Sequence, residues 1–252
     1  MQATYERRFS KGLYFNANYT YSENWTNGQS LGGGNGYYRG YLIPGLGVNY
    51  DYARSQYDIP QVFHFSGGYD VPIGTGHTFL GNSRGLVDQL VSGWKTNFIV
   101  TLEDGYPFSI GCPDQTFASS TALACYADVV PGANRYAGRH NVNQWMVPAA
   151  FAAPPVATVV STTDVAALGG QPMQVRGPGF HRVDFSVFKN FRTTERTYLQ
   201  FRAEFFNLTN TPQFANPSGT NLGNSTTFGQ ITGLVDGAND PREIQFALKL
   251  YF

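Results

Sequence analysis

The sequence predicts an all-β fold, an antiparallel transmembrane β-barrel segment of about seven long strands, with short turns at one end and long loops at the other. Three observations carry this. Apolar and polar residues alternate with period two over runs of about ten residues, the mark of a strand with one apolar face. Those runs are longer than the five or six residues of an average soluble strand and match the nine to eleven of a tilted membrane-spanning one. The connections alternate between very short and very long.

The strands are expected at about 2–9, 13–22, 61–72, 92–104, 180–192, 196–208 and 241–252. The opening "QATYERRF" alternates most poorly. In "LYFNANYTYS", Leu13, Phe15, Ala17, Tyr19 and Tyr21 share a face opposite Tyr14, Asn16, Asn18 and Thr20. In "QVFHFSGGYDV", Phe63, Phe65, Tyr69 and Val71 share one face. In "SGWKTNFIVTLED", Trp94, Thr96, Phe98, Val100 and Leu102 oppose Lys95, Asn97, Ile99 and Thr101. In "HRVDFSVFKNF", Val183, Phe185 and Val187 oppose Arg182, Asp184 and Ser186. In "TYLQFRAEFFNL", Leu199, Phe201, Ala203 and Phe205 oppose Gln200, Arg202 and Glu204. The last strand, "REIQFALKLYF", sets Ile244, Phe246, Leu248, Leu250 and Phe252 against Glu243, Gln245, Ala247, Lys249 and Tyr251.

Short connections fall at 10–12 and 193–195, and long ones at 23–60, 105–179 and 209–240. The connection 73–91 is intermediate and contains "LVDQLV", a possible helical turn. Membrane barrels of this kind have short periplasmic turns and long extracellular loops. The C-terminus is therefore expected on the periplasmic side. Tyr21 and Trp25 should mark outer ends of strands, and Tyr69, Trp94 and Phe252 inner ends. Turning the last strand over would put Lys249 towards lipid, at about 2–4 kcal/mol near the midplane. It would also strip burial worth about 1.5–3 kcal/mol from each of five apolar side chains. The apolar face must therefore point outward. Arg182, Asp184, Arg202, Glu204, Lys95 and Asn97 should then face the lumen as a polar patch, with opposite charges paired directly or diagonally, Asp184 with Arg202 among them. Tyr14, Phe188 and Phe206 interrupt the polar face and should pack against inward neighbours or a plug, the alternative being that they line a sugar-contacting surface.

Composition narrows the function. Only 13% of residues are charged, against roughly 25% in ordinary soluble domains, and 17 basic residues balance 17 acidic ones. No basic track points to nucleic acid. The longest apolar stretch, 147–160, is too short and too rich in proline for a spanning helix. Cys112 and Cys125 lie in a Gly/Pro/Ala/Ser-rich stretch without a zinc spacing, and are expected to close a loop by a disulfide in an oxidising compartment. His64, His77, His140 and His181 are scattered, with His64 and His181 expected to face the lumen. "GGGNG" at 32–36 lacks the strand and helix that a phosphate loop needs. No catalytic constellation stands out, so no enzyme activity, cofactor or metal site is expected.

A terminal aromatic with apolar residues alternating back from it resembles the C-terminal strand of bacterial outer-membrane barrels. The resemblance implies that Ile244, Phe246, Leu248, Leu250 and Phe252 are a signal for the barrel-assembly machinery. More widely, "YDIPQVFHFSGGYDVPIG", "GWKTNFIVTLEDGYPFSI", "NQWMVPAAFAAPP", "RGPGFHRVDFSVFKNF", "LQFRAEFFNLTNTPQFANP" and "PREIQFALKLYF" are similar to the C-terminal end of TonB-dependent receptors, particularly the Oar-like subgroup. That likeness implies a barrel of about 22 strands closed by a plug. It also implies placement in the outer membrane of a Gram-negative type bacterium, in contact with its lipid. The partners would be the TonB complex, reached through the plug, and a scarce nutrient: a metal chelate, an oligosaccharide or a peptide. Residues 1–252 would be the C-terminal part of that barrel, without plug domain or signal peptide. Seven strands is an odd count, whereas single-chain bacterial barrels have even ones. The alternative is a small self-contained barrel with a structural or adhesive role, its eighth strand drawn from 37–53 or 227–235.

Overall fold

The computed structural model describes residues 1–27, 39–113, 124–156, 165–235 and 241–252. Seven long strands are present where the alternation places them. They are β1 (Gln2–Ser10), β2 (Leu13–Tyr21), β3 (Gln61–Asp70), β4 (Trp94–Glu103), β5 (Phe180–Arg192), β6 (Tyr198–Phe206) and β7 (Glu243–Tyr251). They form one antiparallel sheet in which each strand pairs with its neighbours in sequence. The sheet is not closed: β1 does not pair with β7.

The turns explain the tight end. Ser10 pairs with Leu13, so the β1–β2 turn is Lys11–Gly12, both at positive φ (53° and 80°). This is the primed two-residue turn whose twist matches the flanking strands. The register of β1 shifts between Arg7 and Ser10, and Phe9 comes to lie beside Tyr14, with ring centroids 6.4 Å apart. A bulge there accounts for the weak alternation of the first strand. At the same end, β5 and β6 are joined by 193–197, tied by Thr193 and Thr194 amides donating to the Thr197 carbonyl. Between β3 and β4 stands the helix α2 (Gly85–Val91), longer than the single turn expected.

The pairings fix two faces. Phe98 pairs with Phe185 and Gly67, and Phe185 pairs with Phe205, itself opposite Ile244. An aromatic row, Tyr5–Phe15–Phe65–Phe98, crosses four strands at centroid spacings of 5.5, 5.4 and 5.2 Å. Among the described residues no second layer covers this apolar face. Phe246 and Leu248 are 68% and 64% exposed. The two buried apolar clusters instead lie wholly outside the seven strands. One is built on Phe108, Ile110, Met146, Phe151 and Phe228, the other on Ile43, Leu168 and the two cysteines. A sheet with a bare apolar face, beside a separately cored loop assembly, is what lipid as the covering solvent requires.

The long connections form that assembly, a cap over one end of the sheet. The segments offered for an eighth strand belong to it. The described part of 37–53 opens with the short helix α1 (Arg39–Leu42), and 227–235 is turn and coil with one isolated bridge from Leu234 to Phe214, so neither joins the sheet. Among the described residues no helix is long and apolar enough to cross a membrane.

Candidate ligand-binding surface

The inward face is polar along most of its length, and two of its charge pairs form within single strands. Arg182 Nε donates to Asp184 Oδ1 at 3.0 Å, and Arg202 Nη1 lies 3.5 Å from Glu204 Oε1. The expected cross-strand contact between Asp184 and Arg202 is not formed. The register sets Arg202 opposite Phe188, two rows from Asp184, and the guanidinium rests over the Phe188 ring at 5.6 Å. Asp184 also accepts from the Asn207 amide at 2.8 Å. Lys95 lies 3.3 Å from Asp70. Asn97 accepts from the Tyr14 hydroxyl at 3.2 Å, two strands away. Gly68 between them makes this possible, since a Cβ there would stand 2.7 Å from the Tyr14 ring. Tyr14 and Phe188 thus pack against inward neighbours.

Among the described residues the histidines do not gather. His64 is inward, its Nδ1 3.3 Å from Thr101 Oγ1. His181 is on the opposite face, because it pairs with Leu102, which pairs with Phe63. One residue of offset in an alternating strand decides this. The side chain of His140 and the "GGGNG" segment lie outside the described residues. Among the described residues no group of three metal-ligating side chains occurs.

The cap is held by charges brought from distant segments. Arg39, wholly buried, donates Nε to Asp51 Oδ1 at 2.8 Å, Nη1 to the Leu168 carbonyl at 2.7 Å and Nη2 to the Gly170 carbonyl at 2.9 Å. Tyr126 and Tyr50 flank the guanidinium at 4.7 and 5.1 Å. Burial pushes the Tyr126 hydroxyl up to about 12. This one side chain fastens the first long connection to the second. Gly169 allows the chain to close there, since its φ is +67° and a Cβ would meet the Tyr126 carbonyl. Cys112 and Cys125 are disulfide-bonded, with Cα atoms 5.5 Å apart, inside the second buried cluster. The third connection joins through backbone bonds, Gly111 N to Thr220 O and Trp145 N to Gly229 O, each 2.8 Å.

A second ionic group ties the first long connection to the second near the ends of the sheet strands. Asp58, almost fully buried, accepts from the Asn24 amide at 2.7 Å, from Arg54 at 3.1 Å and from Arg176. Arg176 also donates to the Asp58 and Gly105 carbonyls at 2.7 and 3.1 Å. Burial alone would raise the Asp58 carboxyl. The Asn24, Arg176 and Arg54 bonds outweigh it and hold the group below its ordinary value.

Beside this group opens a cleft of about 630 Å³. Trp25 and Tyr52 stack along it at 5.7 Å and 22°. Arg54 lies over Trp25 at 4.9 Å. Arg135, Asp128 and the segment 170–174 also line it. Burial raises the Asp128 carboxyl above its ordinary value, and it has no hydrogen-bond or ion-pair partner among the described residues. Trp25 is therefore not a girdle residue at a strand end. The sheet strand stops at Tyr21, and Trp25–Thr26 pairs with Ala53–Arg54 inside the cap. An aromatic shelf with a carboxylate and guanidinium groups can stack on an apolar ligand face and bond its polar rim.

Sequence reasoning missed Arg39, Asp51, Asp58, Arg176 and Asp128. The only available signal was charged residues amid aromatic, Gly-rich loops. Over residues 1–245 the chain matches the family described as Outer membrane beta barrel domain. No curated protein and no solved structure matches it.

Proposed function

This chain belongs to the family of outer-membrane β-barrel domains, residing in the outer membrane, and from that premise we propose that it is a barrel segment of a TonB-dependent receptor that takes up a scarce nutrient. The observation that carries the reading is the open sheet. Unpaired strand edges are not tolerated against lipid, where each unsatisfied backbone group costs several kcal/mol. The outer edges of β1 and β7 call for partner strands, as a larger barrel would supply. The likeness of the blocks between 57 and 252 to Oar-like receptors supports the receptor class. The cap supports capture: its cleft combines an aromatic shelf with the Asp128 carboxyl, which has no ion-pair partner among the described residues, a chemistry suited to an oligosaccharide or a peptide. Energy and gating would come from a plug and the TonB complex, and the role is non-enzymatic.

The test is growth of the source bacterium, with and without this gene, on ferric chelates, maltodextrins and oligopeptides as limiting sources. Loss of growth on one class in the gene deletion, matched by loss in a TonB deletion, is expected. Growth that needs the gene but not TonB, or no nutrient phenotype at all, would favour the structural or adhesive barrel instead.

A further inference from the structure

The connection between β3 and β4 carries an apolar surface that nothing among the described residues covers. On α2, Leu86, Val87 and Leu90 are 78%, 58% and 63% exposed, and Phe79 and Leu80 in the preceding turn are as open. The polar side of α2 is turned inward on its own connection. Asp88 accepts from the Thr75 amide and the Ser83 hydroxyl, each at 2.8 Å. The helix is thus amphipathic, with its apolar side unpartnered.

Two side chains place it. Trp94 and Lys189 belong to the outward face, since they pair with each other across β4 and β5 and Lys189 pairs with Phe201. Trp94 Nε1 donates to the Leu90 carbonyl at 3.0 Å, and Lys189 Nζ donates to the Ser92 carbonyl. The C-terminal end of α2 is therefore held on the lipid side of the sheet and not over the lumen. Lys189 would otherwise be a cation facing lipid. It is almost fully buried, with the Trp94 and Phe191 rings at 5.5 and 4.9 Å from Nζ.

We infer that α2 and the turn before it form a membrane foot, lying in the headgroup region of the inner leaflet with their apolar side chains among phospholipid acyl chains. The occupant is lipid because the patch continues the lipid-facing surface of β4 and β5 through Trp94. A plug, confined to the lumen, would meet the other face. The end is the inner one because it carries the short connections. Amphipathic segments with this arrangement lie in the interface plane.

The test is spin labelling of the whole gene product in isolated outer membranes, at Leu86→Cys and Phe79→Cys in turn. Phe98→Cys serves as the lipid-facing reference, and Gln144→Cys, exposed in the cap, as the aqueous one. The probes are dissolved oxygen, which concentrates in lipid, and a neutral nickel chelate, which stays in water. Oxygen-to-nickel accessibility several-fold above that at 144, and approaching that at 98, is expected at both positions. A ratio equal to that at 144 would overturn the inference, as would a site closed to both reagents, because water or protein would then cover the patch. Either label alone suffices if the other variant fails to assemble.

Discussion

The buried pair Arg39–Asp51 should hold the cap together with an energy that a double-mutant cycle can read. In Asp51→Asn the guanidinium keeps the Leu168 and Gly170 carbonyls but loses its counter-charge at a buried position. Removing one partner of a buried pair costs about 3–5 kcal/mol. In Arg39→Met the Asp51 carboxylate keeps the Arg39 amide, while two carbonyls lose their donor at about 1–3 kcal/mol each. Arg39→Met with Asp51→Asn removes both charges together, so the two carbonyls still lack their donor but no buried charge is left uncompensated. The double variant should therefore lose clearly less than the sum of the two single effects. The assay is hydrogen exchange of the Tyr126 amide, which donates to Leu168 at 3.2 Å in the clamped region. A loss of about 3 kcal/mol speeds exchange by opening roughly a hundredfold. Amides within β4 and β5 should not change, because the clamp touches no strand of the sheet. Additive single effects, or less than a tenfold change at Tyr126 in Asp51→Asn, would refute the reasoning.

Phe98→Arg, at the middle of the outward face, should cost about 2–4 kcal/mol in urea titrations of the membrane-embedded protein, while Ser186→Arg on the inward face should cost far less; equal costs would reverse the assigned faces. The Asp58 carboxyl is depressed in the folded state, so its contribution is complete above the ordinary value of 3.8 and is lost as pH falls through the lower folded value. Protease resistance of the cap should hold from neutrality down to about that ordinary value, fall below it, and lose much of this acid limb in Asp58→Asn; an unchanged limb would assign it to other carboxylates. Gly68→Ala should cost about 1–3 kcal/mol by crowding Tyr14 and Asn97, and combining it with Tyr14→Ala should recover part of that loss, as read by the urea midpoint.

The sequence by itself determined the seven strands, their faces and the ends at which they turn. A half-buried strand writes its facing into every second residue, as in Phe246, Leu248 and Leu250, and a one-residue slip would invert it. Period two holds for Lys189 as well, which the alternation puts on the lipid face. Only the tertiary structure shows the Ser92 carbonyl and two rings that shelter its charge. The same limit governs the inward charges. Alternation places Arg202 and Asp184 on one face, but strand register decides that each finds its partner two residues along its own chain. The cap was least legible because loops carry no period. Arg39 meets the Leu168 carbonyl across 129 residues and Arg176 meets Asp58 across 118. Contacts of that separation are fixed by where the strands deliver the loop ends and by the demand that buried charges be paired, and neither leaves a local mark in the sequence.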